Sequence, residues 1–118
     1  MTAPIKIAQK IAQFSNIKRA KVSAIAFSSS GHVIAMAHNR RINCGDDRWT
    51  EHAEESLINK LNRINAWQRF KNISILVLRM SAHGISMAKP CSRCQLLLKK
   101  YPVKIMYTDS DGTIQPLN

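Results

Sequence analysis

Pro90-Cys91-Ser92-Arg93-Cys94 stands between two apolar runs, Ile73-Ser74-Ile75-Leu76-Val77-Leu78 and Val103-Lys104-Ile105-Met106-Tyr107. The first run is apolar at nearly every position, which predicts a strand covered on both faces of a sheet. Pro90 favours a helix start, so residues ~91–100 are expected to be helical. The second run is expected to be another strand. Strand, helix and strand in that order make a βαβ unit, with parallel strands and a right-handed crossover. Asp109-Ser110-Asp111-Gly112 is a tight-turn sequence, so Thr113–Leu117 is expected to return as an antiparallel edge strand.

Toward the N-terminus, Ser81–Lys89 reads as a loop. Leu57, Leu61 and Ile64 follow i, i+4, i+7, which predicts a helix over ~51–66. Residues 39–50 are polar and read as a loop. Lys21–Phe27 and His32–His38 flank Ser28-Ser29-Ser30-Gly31 and read as a β-hairpin. Ile7, Ala8, Ile11 and Ala12 fall near one face of a helix over ~4–16, which Pro4 opens. The order helix, hairpin, helix, strand, helix, strand, strand predicts a single α/β domain over residues 1–118. It is a three-layer α-β-α fold around a mixed five-stranded sheet whose last strand is antiparallel.

The 118 residues suffice for one core and not two. No apolar run approaches the ~20 residues of a membrane span. Lys6 and Lys10 interrupt any signal-peptide core. Three cysteines, two of them in C-x-x-C, argue against a disulfide framework and for a reducing, cytoplasmic setting. The net charge is +11 and the pI about 10.2, so polyanions should be attracted at low salt. A merely solvated basic surface would give the same numbers. Five of the seven acids, Asp46, Asp47, Glu51, Glu54 and Glu55, gather around His52.

That gathering surrounds the chemistry. His52, Cys91 and Cys94 are one imidazole and two thiols, the right donors for Zn²⁺. Three protein ligands leave a fourth position for water, as a catalytic zinc site requires. Cys91 and Cys94, at i and i+3, share one helix face. Glu54 is not needed as a ligand, and a free carboxylate beside a zinc-bound water is a proton shuttle. His32, His38 and His83 supply no second paired motif, and Cys44 reads as a free thiol. The joint pattern H-x-E then P-C-x-x-C is that of zinc-dependent base deaminases.

On these residues the chain resembles the cytidine deaminase-like superfamily, over Lys21 to Leu117 and the helix before. The resemblance implies a hydrolytic deaminase with Zn²⁺ as cofactor, His52, Cys91 and Cys94 as its ligands and Glu54 as its shuttle. Asn39 falls where related deaminases keep a substrate-contacting asparagine. Ala53 falls on the residue whose backbone N–H meets the base carbonyl. Asn39-Arg40-Arg41-Ile42 and the His-Ala-Glu form are similar to tRNA adenosine and deoxycytidylate deaminases. The turn Asp109–Gly112 into a returning strand is similar to free cytidine deaminases and bacterial toxin deaminases. Position 41 is Arg where free cytidine deaminases carry a ribose-binding glutamate nearby.

Around this site Trp49 is a candidate for stacking on a base. Arg40, Arg41 and Arg48 are candidates for a phosphate. The expected reaction converts a cytosine nucleoside or nucleotide to its uracil counterpart plus ammonia. Single-stranded DNA or RNA, or an adenine or guanine substrate, are the alternatives within the enzyme class. A catalytically inactive, zinc-stabilised nucleic-acid-binding module is the alternative outside it. The expected partners are a small-molecule substrate and a second copy of the chain, with no membrane.

Overall fold

A computed structural model describes residues 3–17, 20–44 and 47–117, and of residues 3, 42–44 and 47–49 the backbone alone. In chain order the elements are α1 (Ala3–Ala12), β1 (Lys21–Phe27), β2 (Val33–His38), β3 (Arg40–Cys44), β4 (Asp47–Glu51), α2 (Ala53–Arg63) and α3 (Ala66–Arg69). There follow β5 (Ile73–Ser81), β6 (Gly84–Ser86), α4 (Ser92–Leu98), β7 (Val103–Thr108) and β8 (Ile114–Pro116). The main sheet runs β2-β1-β5-β7-β8, with β6 added to β5. β5 and β7 are parallel and every other pair is antiparallel, including β7 with β8. Among the described residues no helix is long and apolar enough to cross a membrane.

The apolar run of β5 is explained by its two neighbours in depth. Ile73, Ile75 and Val77 point to one face, where they pack with Leu57, Ile58 and Leu61 of α2 and Leu98 of α4. Leu76 and Leu78 point to the other, against Ala8 and Ala12 of α1. β1 divides its residues the same way, Ala24 and Ala26 toward α2, Ile25 and Phe27 toward α1. Successive side chains on a strand alternate faces, so only a doubly covered strand is apolar at both parities. The result is the expected three-layer α-β-α architecture.

Three local expectations are corrected. Residues 39–50 are not a loop: β3 and β4 pair from Arg40↔Glu51 to Cys44↔Asp47 as a separate two-stranded sheet. Their charged residues hid the strands, because a hairpin held by cross-strand partners such as Arg40–Glu51 needs no apolar alternation. Ser81–Lys89 likewise contains β6, turned back on β5 at Gly84, whose φ of +106° disfavours any side chain. The helix expected over ~51–66 stops at Arg63, because Asn65 adopts a left-handed φ of 54° and starts the short α3.

Candidate active site

The two halves of the site are built alike. His52 is the N-cap of α2, so Ala53, Glu54 and Glu55 are its first three helical residues. Cys91 is the N-cap of α4, with Cys94 its third. The extended backbone of each cap, ψ 149° at His52 and 167° at Cys91, turns the chain from sheet edge into helix. Two bonds lock the halves together. The His52 backbone N–H donates to Glu55 Oε1 at 3.2 Å, and Arg93 of α4 donates to the same oxygen at 2.9 Å. Glu55 thus ties the first turn of one helix to that of the other.

His52 Nδ1 lies 3.2 Å from Cys94 Sγ and 3.8 Å from Cys91 Sγ. The ligand atoms of all three residues lie within 4.8 Å of one another. Tetrahedral zinc with Zn–S of ~2.3 Å and Zn–N of ~2.0 Å sets neighbouring N and S donors about 3.5 Å apart, so the cluster has the right span. Its electrostatics also ask for a cation. Burial, followed by the nearby Glu54 carboxylate, pushes the Cys94 thiol far above its ordinary value. A positive charge at the site would favour the thiolate that a metal needs. The donor set and its spacing therefore fit zinc.

Glu54 is 5% exposed. Desolvation raises its carboxyl above the ordinary value, partly offset by its own backbone N–H, the His52 imidazole and the Cys94 thiol. It lines a cleft of about 250 Å³ together with Asn39, Thr50, His52, Ala53 and Cys91. The shared cleft joins the two motifs that lie far apart in sequence.

Asn39 reaches the cleft, but most of its side chain is already engaged. Its Oδ1 accepts from Ser15 Oγ at 2.7 Å and from the Val22 N–H at 2.9 Å, while Nδ2 donates to the Ala20 carbonyl at 2.7 Å. Ala53 is fully buried and lines the cleft at the first position of α2, where a backbone N–H has no intrahelical acceptor. Arg40 and Arg41 do not line the cleft. Arg40 pairs with Glu51 at 3.0 Å and borders a separate polar hollow with His38, Lys60 and Arg63. Arg41 is exposed, and its backbone exchanges bonds with the Asn16 side chain. Trp49 sits opposite Ile42 in the hairpin register; its side chain and that of Arg48 lie outside the described residues.

Sequence reasoning missed Arg79 and Lys89, which line the cleft from β5 and from the segment before Pro90. The signal available was Arg79 itself, a charge ending the apolar run of β5. Trp67 and Tyr101 stack at 4.7 Å and share Asn62 as hydrogen-bond partner, a packing role away from the cleft.

A three-layer α/β domain with a three-ligand zinc cluster and a buried carboxylate in one cleft defines a class of zinc-dependent hydrolases. The chain belongs to the cytidine and deoxycytidylate deaminase zinc-binding family, whose model matches residues 2–109. No curated protein matches the chain. Solved structures resemble it across most of its length. The dCMP deaminase of cyanophage S-TIM5, in complex with dCMP and dUMP, is 21% identical, with 92% of this chain and 79% of that one covered and a TM-score of 0.68. The cytidine deaminase of Burkholderia pseudomallei is 16% identical over 99% of this chain and 91% of that one, with a TM-score of 0.68. That of Mycobacterium leprae is 22% identical over 94% and 87%, with a TM-score of 0.60. At these identities the likeness speaks for the fold alone.

Proposed function

We propose that the protein hydrolytically deaminates a cytosine nucleoside or nucleotide, releasing ammonia and the uracil product. The observation that carries this is the Glu54 carboxyl, 5% exposed, in one cleft with His52 and Cys91. A structural zinc site has no use for a costly buried acid. Family membership supports the same reading, as does the nucleotide complex of the cyanophage relative.

His52, Cys91 and Cys94 are assigned as the metal's holders. When bound, zinc lowers the pKa of a water toward neutrality and so supplies a nucleophile for the amino-bearing ring carbon. The Glu54 carboxylate takes up the proton that this water gives and delivers it to the adjacent ring nitrogen. As the added hydroxyl becomes the oxo group, Glu54 would take up its proton and pass it to the amino group, which leaves as ammonia. Burial suits it to both steps, because desolvation favours its protonated form and so raises its affinity for the proton it carries. The Ala53 N–H is assigned to the base carbonyl. Asn39, with one N–H of its Nδ2 left over, is assigned a positioning role at the rim.

The test is ammonia release from cytidine, deoxycytidine, their monophosphates and cytosine-bearing single-stranded oligonucleotides, using zinc-loaded protein. Turnover of a free cytosine compound supports the reading; zinc binding without turnover of any of them contradicts it. A second reading, action on an unpaired cytosine in single-stranded DNA or RNA, is favoured by the net charge of +11. Turnover of an oligonucleotide that falls steeply between low and moderate salt would select it.

A further inference from the structure

Two cations of the cleft have no task in that mechanism. Arg79 and Lys89 line the same cavity as Glu54, His52 and Cys91, and both are exposed. Among the described residues the ion pairs are Arg40–Glu51 and Arg93–Glu55, so neither of the two is paired with an acid. Among the described residues Glu54 is the one carboxylate lining this cavity, and it is buried. Among the described residues, the rim therefore carries two positive charges with no protein counter-charge paired to them.

A neutral nucleoside gives those charges nothing to bind. A phosphomonoester carries about −1.5 to −2 charge near neutral pH, which two cations match. The pair is also chemically complementary: Arg offers a planar fork for two phosphate oxygens, Lys a compact point charge. Both stand on fixed backbone. Arg79 is held between Val22 of β1 and Ser86 of β6 in the sheet register. Lys89 lies between Ala88, whose N–H donates to the Thr108 carbonyl at 2.8 Å, and the buried Pro90. The cavity of about 250 Å³ lies just below the ~300–1,000 Å³ usual for ligand pockets, and two cations suit the near-double charge of a terminal phosphomonoester better than the single charge of a backbone phosphodiester.

We propose that Arg79 and Lys89 hold the phosphate of a nucleoside monophosphate, so that the substrate is a cytosine nucleotide rather than a nucleoside or a polynucleotide. The inference rests on the deaminase reading above and adds the group that selects among its substrates.

The experiment compares kcat/KM for CMP and dCMP with that for cytidine and deoxycytidine, and for a single-stranded oligomer carrying one cytosine. Zinc-loaded wild type, Arg79→Gln, Lys89→Gln and the exposed control Lys71→Gln are assayed side by side. Wild type is expected to prefer the monophosphates by at least about 100-fold. Each cleft variant should cut the nucleotide-to-nucleoside ratio about 10- to 100-fold, the loss expected for a charge-assisted contact, while Lys71→Gln keeps the wild-type ratio. Equal rates on nucleoside and nucleotide, an unchanged ratio in both cleft variants, or faster turnover of the oligomer would each overturn the inference. If no cytosine compound turns over, the deaminase reading falls on its own. The phosphate site is then read by calorimetry on Glu54→Ala holoprotein, as the affinity of dCMP relative to deoxycytidine with and without Arg79→Gln. Equal affinities there overturn the phosphate site as well.

Discussion

Asn39→Ala should cost stability first and catalysis second. Asn39 is 7% exposed and its side chain makes three hydrogen bonds, to Ser15 Oγ, the Val22 N–H and the Ala20 carbonyl. These join the segment after α1, the lead-in to β1 and the end of β2, and so hold the wall of the cleft. Truncation removes all three and strands partners that cannot all find water. An unsatisfied buried group costs about 1–3 kcal/mol, so a total of about 3–5 kcal/mol is expected. That is a large share of the ~5–15 kcal/mol of a typical domain. For a domain of this size it corresponds to a fall in Tm of about 10–25 °C. Asn39→Asp should fall in between, because it keeps the two acceptor bonds but sets a carboxylate against the Ala20 carbonyl. The assay is urea unfolding of zinc-loaded protein, read as the midpoint at constant m-value. A loss below about 1 kcal/mol, with a raised KM, would refute this reasoning and make Asn39 a substrate ligand before anything else.

Further outcomes follow from the same geometry. Cys94→Ser should bind zinc at least about 100-fold more weakly in a chelator competition, and chelation of wild type should lower Tm by linkage. Glu55→Gln should change stability by no more than about 1 kcal/mol, because its bridge to Arg93 is largely exposed. It should weaken zinc by less than about 10-fold, since the Gln amide oxygen still accepts from the His52 N–H and only the charge of the Arg93 contact is lost. Asp109 accepts bonds from the Thr113 and Asp111 backbones and from Gln115, the last being the largest cause of its lowered carboxyl pKa. Its contribution is present above the ordinary value of 3.8 and lost as pH falls through the lower folded value. The Tm gap between wild type and Asp109→Ala should therefore be constant near neutrality and close in acid.

The βαβ unit was legible because β5 is apolar on both faces and because Pro90 marks where the next helix begins. The metal cluster was legible because imidazole and thiol ligands have few other reasons to open two helices in that spacing. The β3–β4 hairpin was not, since its strands are polar and the Arg40–Glu51 pairing that registers them is a contact between residues far apart in the local pattern. The role of Asn39 was half legible. Its position suggested the cleft, but its three internal bonds depend on where Ser15 and Ala20 arrive in space. Arg79 was marked only as the charge that ends the apolar run of β5, and Lys89 only as a residue of the segment before Pro90. Nothing in the sequence between them says that the β5–β6 turn brings both to one cavity.

In the proposed reaction Glu54 moves the protons of a zinc-dependent deamination. The most direct measurement is ammonia release by Glu54→Ala beside wild type, with zinc content determined on the same samples. General acid–base groups contribute about 10²–10⁴-fold per transfer, and Glu54 is assigned two. A loss of at least about 10⁴-fold is expected, with zinc still bound at one equivalent. A variant that retains zinc and turns over within about 10-fold of wild type would contradict it.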